Sequence, residues 1–183
     1  MCKRLWNSHG WQHFFGASVV LAVGVFLTLV APAVRGATRT AEVLARGGGT
    51  TMIEGGTGRA GGFIPVLTTL AFHAEVTGGT VTGSFECLAR GPQTSTGPGS
   101  AQFTTNVMYV TGQIKTATIH RNIARLSGTA NITGLGAGAE VPFTFVVRKG
   151  GPGAAAVLTT EGLTPLVFNE VLLEGSFEVV ADE

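Results

Sequence analysis

Apolar residues occupy every second position in several segments of this chain, and that period is the feature that most constrains its fold. The alternation runs through residues 70–76 and, after a Gly-Gly pair, through residues 81–89. Successive side chains of a β-strand point to opposite faces, so each segment predicts a strand that is buried on one side. In the second segment Cys87 falls on the apolar face, beside Phe85.

Further short segments extend the pattern, with the clearest hairpin turning at Arg121-Asn122. Glycine makes up 28 of the 183 residues, about twice the usual share of ~7 %, which favours tight turns between strands. The sequence therefore predicts an all-β domain over residues 37–183, either an antiparallel β-sandwich or a small β-barrel. It has roughly nine strands, at residues 70–76, 81–89, 103–110, 114–120, 123–132, 141–147, 155–160, 165–168 and 172–180.

The N-terminus has the layout of a secretory signal peptide. Lys3 and Arg4 precede the apolar stretch 19–30, and small residues at 31–33 and 34–36 offer two cleavage sites. We predict a signal helix over residues 1–36, and hence a secreted, periplasmic or cell-envelope protein. The alternative is a retained anchor that tethers the domain to a membrane, because residues 14–34 contain no charge and are long enough to span a bilayer.

Cysteine usage excludes a disulfide scaffold for the exported part. Cys2 lies in the leader, which leaves Cys87 without a partner in the same chain. A buried free cysteine behaves as a small hydrophobic residue, and this is the expected role of Cys87. The alternative is a reactive or dimerising thiol.

No catalytic motif is present. Asp182 is the only aspartate, and neither G-x-S-x-G nor H-E-x-x-H occurs. Residues 56–61 match G-x-G-x-x-G, but the pattern that follows predicts a strand where a dinucleotide site needs a helix. We therefore predict no catalytic residue, no cofactor and no metal site. If the domain encloses a cavity, the candidates are His73, Glu86 and Cys87.

Charge gives no indication of a nucleic-acid partner. Without Lys3, Arg4 and Arg35, nine Lys/Arg stand against eleven Asp/Glu, a formal charge of −2. The basic residues are scattered along the sequence, without the stripe and interleaved aromatic residues of a nucleic-acid interface. A protein or a small apolar ligand remains as the partner class, with a membrane only if the leader is retained.

The second half of the chain carries a family-like pattern over residues 124–134 and in the turn 149–153. Its members are Ala124, Leu126, Gly128, Ile132, Gly134, Pro152 and Gly153. In these positions the chain, over about residues 107–180, resembles small all-β domains of secreted bacterial proteins of unknown function. The resemblance implies export and the fold, and it implies no activity. Those domains often carry acidic residues in the turn where this chain has Arg148 and Lys149.

These observations leave two functional hypotheses. The leading one is an exported, non-enzymatic domain with a structural or binding role at the cell envelope or outside the cell. The alternative is a barrel that binds an apolar ligand and carries out isomerase- or cyclase-type chemistry in its cavity. An interior filled by side chains favours the first, and an apolar cavity of about 300 Å³ or more favours the second.

Overall fold

A computed structural model describes residues 42–56, 66–93 and 102–180, which form a closed antiparallel β-barrel. Each strand is hydrogen-bonded to the next in sequence, and the last pairs with the first. The signal helix predicted for residues 1–36 lies outside the described residues. So do residues 57–65, which cover most of the G-x-G-x-x-G match and the segment that follows it. The eight strands are β1 (Glu42–Gly56), β2 (Leu67–Thr77), β3 (Thr80–Gln93), β4 (Gln102–His120), β5 (Ile123–Gly134), β6 (Gly138–Arg148), β7 (Ala155–Thr160) and β8 (Leu166–Val179).

The expected all-β class is confirmed, and of the two architectures the structure has the barrel. The strand count differs from the expected nine for three reasons. Segments 103–110 and 114–120 are one strand, β4, which continues through Gly112. Segments 165–168 and 172–180 also join, as β8. Finally, β1 was not expected, because its run of three glycines hides the period of two.

Aromatic rings occupy the barrel interior along a continuous path. Phe177 contacts Phe72, with ring centroids 5.7 Å apart, and Phe72 contacts Phe145 at 5.3 Å. The path continues to Phe85 at 4.8 Å and to Phe143 at a further 5.3 Å. These residues come from β2, β3, β6 and β8 and are all buried. The rings thus tie strands from both sides of the barrel into one core.

Glycine permits the closure between β1 and β8. Gly175 faces Gly49 in the register of the two strands and has a φ of 110°, a conformation that side chains disfavour. A Cβ atom at Gly175 would lie 2.1 Å from the carbonyl oxygen of Gly48. The two backbones therefore approach more closely than any side chain at this position would allow.

The two ends of the barrel carry different connections. At one end, here called the lower end, β1 begins and β8 finishes, and the turns 78–79, 121–122 and 149–154 lie there. At the upper end are the connections between β1 and β2, β3 and β4, β5 and β6, and β7 and β8. In the parts of the chain that the structure describes, there is no helix long and apolar enough to cross a membrane.

Candidate functional site

His73, the first of the three candidates from the sequence, lies on the outer face of β2. Its Nε2 atom is 3.2 Å from Oε2 of Glu75, two residues along the same strand. Both side chains are partly exposed to solvent. The pair is a solvated contact on the barrel wall, and His73 has no access to the interior.

Glu86 is also on the outer face, and it is exposed. The hydroxyl of Tyr109 on β4 donates a hydrogen bond to Oε1 of Glu86, at 2.5 Å. This hydrogen bond raises the pKa of Tyr109, because it favours the protonated phenol, and the negative charge of Glu86 adds to the effect. The contact joins β3 to β4 on the surface.

Cys87 points inward, as its position beside Phe85 predicts, and only 2 % of its surface is exposed. Burial raises the pKa of the Cys87 thiol well above its usual value, and the charge of Glu170 raises it further. The thiolate is the nucleophilic form, so this environment makes Cys87 unreactive. The structure therefore brings His73 and Glu86 to the outside and Cys87 to the inside, and the three do not converge.

The structure instead places a carboxyl group inside the barrel, at Glu170 on β8. Glu170 is 4 % exposed, and the neighbouring interior residues Thr51 and Thr68 are fully buried. Oε2 of Glu170 is hydrogen-bonded to the hydroxyl of Thr51 on β1, and that hydroxyl lies 3.4 Å from the carbonyl oxygen of Thr68 on β2. We call Glu170, Thr51 and Thr68 the interior polar cluster.

Burial favours the neutral form of the Glu170 carboxyl group, and the cluster can accommodate that form. A hydroxyl has one proton to donate. If Glu170 is ionised, Thr51 must donate to the carboxylate, and the carbonyl of Thr68 loses that donor. If Glu170 is protonated, it can donate to Thr51, whose own proton then serves the carbonyl. Burial raises the pKa of Glu170 to about 7, although the Thr51 hydrogen bond partly opposes the shift.

A carboxyl group with such a pKa can both give and take a proton near neutral pH, which is the property of a general acid or base. The hydroxyl of Thr68, in contrast to Glu170, has no hydrogen-bond partner among the described residues. A metal site is not formed there: within residues 42–56, 66–93 and 102–180, no three His, Cys, Asp or Glu side chains group together as ligands.

Sequence reasoning missed Glu170, although the sequence contains its signal. In the segment Phe168-Asn169-Glu170-Val171-Leu172, the first, third and fifth residues share one face of the strand. Phe168 and Leu172 are buried apolar residues, and Glu170 lies between them on that face. A period of two continued through this segment places the carboxylate inside. The strands expected at 165–168 and 172–180 instead leave Glu170 in the connection between them.

The fold and its interior define a class: an up-and-down β-barrel of eight strands with an aromatic core and one buried carboxyl group among the described residues. Comparison with protein-family models, with curated proteins and with solved structures gives no match.

Proposed function

We propose that this chain is an exported, non-enzymatic barrel domain with a structural or binding role at the cell envelope or outside the cell. The observation that carries the proposal is the path of phenylalanine rings from Phe177 to Phe143, which occupies the interior between four strands with the protein's own side chains. Recognition then falls to the outer surface. The signal-like leader, residues 1–36, supports export.

Fractionation of cells that produce the full chain, combined with the intact mass of the product, tests this proposal. We expect the protein outside the cytoplasm, with a mass that corresponds to cleavage between residues 33 and 37. A full-length product in the membrane fraction would support the tethered form of the same domain. A soluble, full-length cytoplasmic protein would contradict the proposal.

The second candidate function is a barrel with an apolar ligand and isomerase- or cyclase-type chemistry. The observation in its favour is the interior polar cluster, since Glu170 can exchange a proton near neutral pH. Native mass spectrometry with a panel of apolar ketones and epoxides separates the two functions. A bound or converted compound that is lost in Glu170→Gln, but retained in Glu86→Gln on the outer face, would favour the second function over the first.

A further inference from the structure

The charges of the barrel are divided between its two sides. Strands β4 to β7 and their connections, residues 102–165, carry five Lys/Arg and two carboxylates, Glu140 and Glu161, both near the upper end. The remaining strands, β1, β2, β3 and β8, carry more acidic than basic residues. Their charged residues are Glu42, Arg46, Glu54, Glu75, Glu86, Arg90, Glu170, Glu174 and Glu178. Five of the seven Lys/Arg among the described residues therefore lie on this side.

Four of these cations lie near the lower end of the barrel. Ile123 is paired with His120 on one side and with Arg148 on the other, and Arg125 lies two residues further along β5. The N–H of Lys149 donates to the carbonyl of Asn122, at 2.8 Å, which joins the turn after β6 to the β4–β5 turn. We call Arg121, Arg125, Arg148 and Lys149, all of them exposed, the basic end.

No cation of the basic end forms an ion pair within the described part of the barrel. The two ion pairs among the described residues join Arg46 to Glu178 and His73 to Glu75. Glu178 follows Phe177, the bridge partner of Gly150, but its carboxylate is paired with Arg46. Glu140 is eight residues from Arg148 on the same strand, about 27 Å away by strand rise. Arg125 contacts a neutral group, the hydroxyl of Thr144 at 3.5 Å. The cations are therefore available to an anionic partner.

The chain also enters the barrel at this end. Gly150 is bridged to Phe177 of β8, and Phe177 is paired with Gly47 of β1. β1 begins five residues before Gly47, at Glu42, and the apolar stretch 14–34 precedes it in the sequence.

We propose that the basic end docks on a membrane surface that contains anionic phospholipid. Arginine and lysine form charge-assisted hydrogen bonds with phosphate oxygens, and Ile123 offers a half-buried apolar contact among them. The proposal rests on the binding role at the envelope proposed above, and it names the partner of that role. Docking requires no retained anchor, because the cations belong to the barrel itself.

Vesicle sedimentation tests the proposal with residues 38–183, in which every strand finds both of its neighbours. We expect binding to phosphatidylcholine vesicles that contain about one third phosphatidylglycerol, and little binding to pure phosphatidylcholine. Added salt should weaken the binding, because it screens exposed charges. Arg148→Gln should reduce the partition coefficient about five-fold, and Arg125→Gln/Arg148→Gln/Lys149→Gln about 100-fold.

Arg90→Gln is the matched control, because Arg90 is an exposed arginine on a strand near the upper end. It removes the same charge, and we expect less than about a two-fold change in partition. Thermal melting of each variant shows that the barrel remains folded. Equal losses for Arg90→Gln and Arg148→Gln would overturn the proposal, since they would show a net-charge effect without a defined docking surface.

Two further outcomes would also overturn it. Equal binding to both kinds of vesicle would show that anionic lipid is not recognised. Binding to a soluble polyanion such as dextran sulfate, without binding to anionic vesicles, would assign the basic end to a different partner. Either result leaves the export of the chain intact, because fractionation measures that separately, so failure of the docking surface is distinguishable from failure of the proposed function.

Discussion

At the scale of single residues, Glu170 links the packing of the interior to pH. Its pKa is raised to about 7 in the folded barrel, against an ordinary value of 4.5. Below pH 4.5, Glu170 is protonated in both the folded and the unfolded state. As pH rises from 4.5 through 7, the unfolded chain releases the proton first, so the free energy of unfolding falls. The total loss is about 3 kcal/mol, because the pKa of Glu170 is about 7 in the folded state against 4.5 in the unfolded one.

Glu170→Gln should remove this dependence. The amide is neutral at every pH and can still donate to Thr51, so we expect a variant that resembles the wild type near pH 5. Near pH 8 it should be more stable than the wild type, by as much as about 3 kcal/mol. Urea unfolding of both proteins at the two pH values measures the difference. Parallel pH profiles would show that Glu170 does not titrate between them.

The two threonines of the interior polar cluster give a second, matched prediction. Thr51→Val removes the hydroxyl that contacts both Glu170 and the carbonyl of Thr68, and it should cost roughly 1–3 kcal/mol. Thr68→Val also replaces a hydroxyl with a methyl group, at a neighbouring buried site. The hydroxyl of Thr68, however, has no hydrogen-bond partner in the described part of the chain. It should be neutral or slightly stabilising. Equal destabilisation in chemical unfolding would contradict this account of the cluster.

At the scale of strands, the sequence predicts well wherever the period of two is unbroken. The β4–β5 hairpin turns at Arg121-Asn122 as expected, with His120 paired to Ile123. The inward position of Cys87 is also confirmed. Each miss has a local cause: three glycines conceal the pattern of β1, and the charge of Glu170 interrupts that of β8. The period describes which face a residue occupies, and it carries no information on which strands close the barrel.

Gly175→Ala tests that closure. The added Cβ would meet the carbonyl oxygen of Gly48, and a φ of 110° disfavours alanine, so we expect a loss of about 3 kcal/mol or more. Gly55→Ala is the control, because its Cβ would meet only the amide of Asn169, at an ordinary 3.8 Å. Thermal unfolding of both variants measures the contrast. A similar melting temperature for both would mean that the β1–β8 contact adapts without cost.

At the scale of the whole molecule, the barrel has two properties that no single strand has. Every described strand has two neighbours, which leaves no free edge for another chain to extend. Strand pairing also brings distant cations near one another: Arg121 and Lys149 lie in different turns, which are joined because β5 and β6 pair. The basic end was not evident from the sequence because most of β5 and β6 separates Arg121 and Arg125 from Arg148 and Lys149, and only the pairing of these strands makes them neighbours.

Closure of the barrel can be measured through Cys87, because alkylation requires a thiolate that reagent can reach. In the folded state the group is 2 % exposed and its pKa is raised, so we expect negligible labelling by iodoacetamide. Labelling of Cys87, followed by peptide mass, should rise with urea in parallel with global unfolding, since no strand can leave without opening the barrel. Gly175→Ala should accelerate labelling without denaturant, and Gly55→Ala should not. Rapid labelling of the untreated wild type would show that the barrel opens locally near β3. The description of Cys87 as a buried core residue that reagents cannot reach would then be wrong.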